Sequence, residues 1–224
     1  LTSSSSWIDY NAITGADRPD AFLGGSPYLN DNAASGDVFV EELRLASDLE
    51  GPLQFVTGMY YEDRNSQLHT LWLWSGDPAQ TPPAAQPYLI KLDNITTTTQ
   101  KAFFGELSYS ISDGFAVTIG GRYFDYDREL DSSVILFGNS LWTNQLTPTD
   151  ETGSNYKAVF NYTPNEDILF YAQWSEGFRL GNGQLQHPGC TAIGKDITSI
   201  ESDSTQNFEF GVKTAFADNR ITLN

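Results

Sequence analysis

Apolar and polar residues alternate through several stretches of this chain. In 101–111, Phe103, Gly105, Leu107, Tyr109 and Ile111 share one face, and Phe104, Glu106, Ser108 and Ser110 share the other. In 115–127, Phe115, Val117, Ile119, Gly121 and Tyr123 oppose Thr118, Gly120 and Arg122. In 205–216, Phe208, Phe210, Val212 and Phe216 oppose Asn207, Glu209, Gly211 and Lys213. A period of two is the signature of a strand with unlike faces. The pattern predicts nine strands, at about 1–10, 37–48, 53–64, 101–111, 115–127, 155–163, 168–178, 205–216 and 220–224.

The connections between these strands come in two kinds. Tight turns read Leu49-Glu50-Gly51-Pro52, Ser112-Asp113-Gly114, Pro164-Asn165-Glu166-Asp167 and Ala217-Asp218-Asn219. Long polar connections of about 25 to 30 residues fall at 11–36, 65–94, 129–153 and 179–203. Transmembrane β-barrels have this asymmetry, with short periplasmic turns and longer extracellular loops. The expected fold is therefore all-β: part of an antiparallel up-and-down transmembrane β-barrel.

The polar faces carry Glu42, Arg44, Glu106, Arg122, Glu209 and Lys213 at mid-strand. Long charged side chains can pair across strands over an aqueous lumen, so these six are the candidate lumen lining. The outer face of a soluble antiparallel sheet alternates in the same way. A soluble secreted β-sandwich or lectin-like binding module thus stands as an alternative, and a passive porin as another. Strand length favours the membrane, because runs of about 10–12 residues suit a tilted span and globular strands have a mode of about 5–6. Glu41 is a misfit, since it falls on the apolar side of its strand.

Composition narrows the choice. Only 39% of the 224 residues are hydrophobic and mean hydropathy is −0.36, so no helix spans a bilayer. A barrel wall escapes that test because its lumen-facing residues dilute the average. Net charge is −17, with 12 Lys and Arg against 29 Asp and Glu, which excludes nucleic acid as a partner. The acidic balance reads as a solvated, repulsive surface. The single cysteine, Cys190, forms no internal disulfide.

Several strings resemble the C-terminal barrel of TonB-dependent outer-membrane receptors. FVEELRLAS (39–47) followed by GMYYEDR (58–64) is similar to paired mid-barrel strands of that family. KAFFGELSY (101–109) and GGRYFDYDRE (120–129) resemble the next hairpin. NYTPNEDILFYAQWSEGFRLGN (161–182) resembles a recurrent periplasmic turn and an aromatic strand ending in a Gly-Phe-Arg step. STQNFEFGVKTAFADNRITLN (204–224) resembles the hairpin after it. The resemblance covers 37–224; residues 1–36, read as a strand and an extracellular loop, match weakly.

The resemblance implies one barrel domain over 1–224, in the outer membrane of a Gram-negative bacterium. A family member has about 22 strands and a plugged lumen, so the chain is expected to be a piece of a larger wall. The plug, the TonB-engaging segment and the closing strands would lie elsewhere, and an odd number of strands would not close. The implied activity is uptake of a scarce nutrient such as a ferric siderophore, energised through TonB. The implied partners are outer-membrane lipid, TonB through the missing N-terminal part, and the small-molecule ligand.

Other chemistry is thin. His69, Trp72 and Trp74 in 65–94, with Trp142 in 129–153, are candidate ligand-loop residues, since aromatics stack on rings and sugars. The same tryptophans serve equally as an interfacial girdle, and Trp174, facing outward with Ile168 and Phe170, is read as girdle. His187 and Cys190 lack the companion ligands of a zinc site, and Asp17, Asp20, Asp31 and Asp37 lack the calcium-loop spacing. No metal and no cofactor is expected. There is no G-x-S-x-G, P-loop or H-E-x-x-H, and Glu41 and Glu42 face opposite ways, so no catalytic residue is assigned.

Overall fold

A computed structural model describes residues 1–22, 26–74, 88–136, 139–184, 188–216 and 221–223, and side chains except those of 17–28, 74, 139–144 and 188–189. The chain forms β1 (Thr2–Phe22), β2 (Ser26–Ala46), β3 (Leu53–Trp74), β4 (Tyr88–Ser112), β5 (Phe115–Leu136), β6 (Asn139–Asn165) and β7 (Ile168–Arg179). Then come β8 (Asn182–Gly183), a short helix α1 (Pro188–Ala192), β9 (Ser199–Ile200), β10 (Asp203–Phe216) and β11 (Ile221–Leu223). β1 to β7, β10 and β11 make one nine-stranded sheet in that order, and β8 pairs with β9. Every neighbouring pair in the large sheet is antiparallel. Among the described residues no helix is long and apolar enough to cross a membrane.

The tight turns lie where the sequence places them. The Leu49–Pro52 turn needs Gly51, whose φ is +139°. Gln54 closes it by donating Nε2–H to the Leu49 carbonyl at 2.8 Å. Asp113 and Gly114 join β4 to β5, and the Asp167 amide donates to Asn165 Oδ1 at 3.0 Å in the β6–β7 turn. The expected turn at 217–219 lies outside the described residues.

The long connections depart from expectation. Most of 11–36, 65–94 and 129–153 is strand, because β1 to β6 run 21 to 27 residues each. Their upper halves keep the ladder but lose the apolar alternation: Thr96–Thr99 pair with Arg64–Ser66 and Asp63 on one side and Asp127–Leu130 on the other. Above the lipid band nothing selects an apolar outer row, while β-branched threonine still favours the extended backbone. Polar composition there marks solvent and not irregular structure.

Register assigns the two faces. One row runs Arg44, Gly58, Phe104, Arg122, Asn155, and the next above it runs Glu42, Tyr60, Ala102, Phe124, Gly153. The opposite face carries Leu43, Met59, Phe103 and Tyr123 in one row, with Leu107 beside Ile119 farther down. These apolar residues are open to the surroundings: Met59 is 61% exposed, Phe103 54% and Ile119 55%. Among the described residues no second sheet covers them, which removes the β-sandwich, whose apolar faces interdigitate. Glu41 stays on this outer face, in a row with Tyr61, Lys101 and Asp125. That row closes the apolar band at its upper edge, which explains the misfit.

The buried core lies on the other, inner face. Ala102, Phe124 and Tyr126 pack there with Tyr60, Phe178 and Leu180. Among the described residues, the cover comes from Phe178 near the end of β7 and from the connection after it, where Leu180, Gly181 and Gly183 lie against the wall. β6 pairs with β7 only as far as Lys157 and Ser175, whereas β7 stays with β10 up to Arg179 and Asp203. Above that point β7 turns inward, and the freed Tyr156 amide donates to the Glu176 carboxylate at 3.1 Å.

Candidate functional site

All six candidate lining residues fall on the inner face by register, although the strands carrying them span Glu42 to Lys213 in sequence. Glu42, Arg44, Glu106 and Arg122 border one concavity of about 510 Å³. Lys157, Glu176 and Phe178 share its border. Glu209 and Lys213 lie farther along the same face on β10.

Their partners were not all foreseeable. Arg44 pairs with Glu42, two residues back on the same strand, and its guanidinium also lies 5.8 Å from the Phe104 ring centre. Glu106 pairs with Lys157 at 2.6 Å, and not with Arg122. Arg122 instead stacks over Tyr60 at 4.8 Å, because its row holds Phe104 and Asn155 while Glu106 sits one row lower beside Gly120. Lys213 lies over Tyr171 at 5.6 Å, and the Tyr171 hydroxyl donates to Glu209 at 2.7 Å. Between Glu209 and Lys213 the Tyr171 ring therefore stands where simple alternation would have paired the charges directly.

Arg122 Nε and Asn155 Oδ1, on residues that border the concavity, are shielded from solvent and have no hydrogen-bond partner among the described residues. Unmet polar groups of this kind favour a polar guest on this wall. Lys157 was missed at the level of sequence. The alternation Tyr156-Lys157-Ala158-Val159-Phe160 carries the signal, with lysine as the odd polar entry in an aromatic run.

Because Lys157 and Glu106 are each more than a third exposed, their pair is worth little by itself. A double-mutant cycle through Lys157→Met and Glu106→Gln is expected to give a coupling of about 0.2–1 kcal/mol, read by equilibrium unfolding of the folded receptor.

The proposed ligand-loop residues sit on strands. His69, Trp72 and Trp74 belong to β3 and Trp142 to β6; the side chains of Trp74 and Trp142 lie outside the described ones. His69 and Trp72 point to opposite faces, since they lie an odd three positions apart on one strand. They do not converge on one ligand. On the outer face the His69 ring meets the Asp93 carboxylate, and Lys91 Nζ reaches the same carboxylate at 3.2 Å. Partial burial pushes the Asp93 carboxyl up, but hydrogen bonds from His69 and Lys91 outweigh it and hold it below its ordinary value.

The second missed cluster lies where 176–202 meets the wall. The Gly181 amide donates to the Tyr126 hydroxyl at 2.8 Å, and that hydroxyl donates to Glu151 at 3.0 Å. Glu151 also receives the Ser202 amide at 3.2 Å and the Ser202 hydroxyl. Ser202's hydroxyl holds the Glu151 carboxyl below its ordinary value, against the upward push of burial and with help from Tyr126.

A family model described as the TonB-dependent receptor-like β-barrel matches residues 2–224. The chain belongs to that family. Its match takes in 2–36, where the quoted strings carried only a weak resemblance. Solved structures of the family's architecture superpose on the chain. The ferric yersiniabactin uptake receptor FyuA of Yersinia pestis does so with a TM-score of 0.70 and 16% identity, over 96% of this chain and 31% of its own. The siderophore receptor PiuA of Acinetobacter baumannii gives 0.63 and 15%, over 88% and 32%, and the ferric citrate transporter FecA gives 0.55 and 17%, over 94% and 30%. No curated protein matches the chain. The chain thus spans about a third of the length of these barrels. TonB-dependent receptor β-barrels are outer-membrane proteins of Gram-negative bacteria, and the outer membrane is where this sheet belongs. The family is one of receptors and transporters and not an enzyme class.

Proposed function

We propose that this sheet is one stretch of the wall of an active outer-membrane transporter that imports a scarce nutrient such as a ferric siderophore. The observation that carries the reading is the division of the sheet: an open apolar outer face against an inner face lined by Glu42, Arg44, Glu106, Arg122, Glu209 and Lys213. The outer face contacts lipid. The inner face lines the lumen, and its charges and rings meet the plug and the passing ligand. Energy reaches the ligand through TonB, which engages a part of the receptor outside these residues. No residue here performs catalysis, and no cofactor is needed for the wall's role.

Deletion of the encoding gene should abolish growth on one ferric siderophore as sole iron source, with restoration by the full-length gene in a strain that has TonB but not in one lacking it. Growth that stays normal on every ferric chelate tried would overturn siderophore uptake. Uptake that proceeds equally without TonB would move the protein to a passive porin.

A further inference from the structure

We infer that the ligand passing this wall carries no net negative charge and presents hydroxyl and amide hydrogens, as an uncharged, amide-linked ferric chelate does and a carboxylate- or catecholate-rich anion does not. The inference rests on the reading of the inner face as the lumen of an importer, and deepens it by naming the charge class of what is imported.

The inner face changes character above Arg64 and Arg128, which share a row with Thr98. Ser66, Thr96 and Thr147 lie in the next row up, and Asn94, Ser132 and Gln145 in the one after it. Asn32 and Thr70 pair higher still. Among the described side chains, no Asp, Glu, Lys, Arg or His faces inward on β1 to β6 above that level.

The upper wall therefore offers hydroxyls and carboxamides. Thr70 Oγ1 donates to Asn32 Oδ1 at 2.8 Å, and the Ser132 hydroxyl donates to Asn94 Oδ1. Asn30 Oδ1 and Gln145 Oε1 are shielded from solvent and have no hydrogen-bond partner among the described residues. Unmet amide oxygens call for O–H and N–H donors. An ionised carboxylate only accepts, so it has nothing to give them.

The nearest cations are already engaged. Arg64 Nε pairs with Glu62 at 2.9 Å, the Arg128 guanidinium donates to the Gly181 carbonyl at 3.2 Å, and Lys91, on the outer face, pairs with Asp93 at 3.2 Å. Behind the neutral rows stands a field of carboxylates. Asp37, Asp63, Asp127, Glu129, Asp131 and Asp150 all face outward on β2 to β6 above Lys101, one sheet thickness away. The stretches 11–36, 65–94, 129–153 and 179–203 together hold four Lys and Arg against twelve Asp and Glu. A field of this sign slows an approaching anion and leaves an uncharged ligand indifferent.

The test uses the purified full-length receptor and two radioiron complexes, one of an uncharged trihydroxamate and one of an anionic tricatecholate, in equilibrium binding at low and high salt. At low salt the trihydroxamate complex should bind roughly tenfold tighter or more, the low end of what a surface field does to a charged ligand. Added salt should leave its affinity unchanged and raise that of the tricatecholate complex, because screening weakens the repulsion. Thr96→Lys and Gln145→Lys, which put a cation on the neutral rows, should each narrow the gap, with heat-modifiable migration in gels showing that each barrel has folded. Binding of the tricatecholate complex as tight as that of the trihydroxamate, or affinity for it that falls as salt rises, would overturn the charge class and leave iron uptake standing. Binding of neither iron complex, together with saturable binding of an uncharged oligosaccharide, would refute iron uptake and leave the charge class standing.

Discussion

Arginine in place of Ile119 is expected to destabilise the folded receptor by about 2–4 kcal/mol, the cost of a cation near the middle of a lipid-facing strand. Ile119 is 55% exposed on the outer face, is opposite Leu107, and lies five residues into β5 from the Asp113–Gly114 turn. A tilted strand crosses the hydrocarbon in about 9–11 residues, so that position is close to mid-depth. Thr118, its neighbour, faces inward, where its Oγ1 lies 2.8 Å from Ser108 Oγ. Thr118→Arg should therefore cost little, since the new cation meets an aqueous wall rather than lipid. Equilibrium urea titration of the full-length receptor in lipid vesicles measures both. If the two variants lose equal stability, the assignment of faces fails. Lys101→Leu provides a gentler check of depth: as an edge-row residue beside Asp125 it should change stability only slightly.

Phe124→Ala is expected to cost about 3–5 kcal/mol, the range for removing a buried aromatic ring. Phe124 is 3% exposed and stacks on Phe178 with ring centres 3.8 Å apart and planes within 3°. Its ring also fills the space over Gly153, where a Cβ would lie 2.4 Å from it. Phe178 belongs to the segment that bends away from β6, so the loss should fall on that segment before it reaches the barrel. Hydrogen exchange should speed up at 178–184 and 198–202 while β4 and β5 below Arg122 keep their protection. A uniform rise across the sheet would instead make Phe124 a residue of the barrel's global stability, with no special tie to the inward bend.

The faces of the sheet were readable from the order of residues. Alternation in 101–111, 115–127 and 205–216 assigned Phe103, Ile119 and Phe208 to one side and Glu106, Arg122 and Glu209 to the other, and the register agrees. This works because side chains alternate along a regular strand and lipid tolerates only one kind of them. The same cue failed above Lys101 and Asp125. There the outer face has left the lipid band, so no apolar row is selected on it, and 65–74 and 129–136 read as loop although they are strand.

Nine strands, their sidedness and the tight turns were thus written in the chain itself, as local propensity and period, and the likeness to an outer-membrane receptor barrel in the resemblance of particular strings such as 161–182. Partners were not. Glu106 meets Lys157 because register sets β5 between them, and Arg122 meets Tyr60 across two strand pairings. Tyr126, Glu151, Gly181 and Ser202 come from four separate stretches, and no spacing in the sequence announces that they meet. Local order determines which way a side chain points; only the folded sheet, with β7 bent inward over it, decides what it finds there.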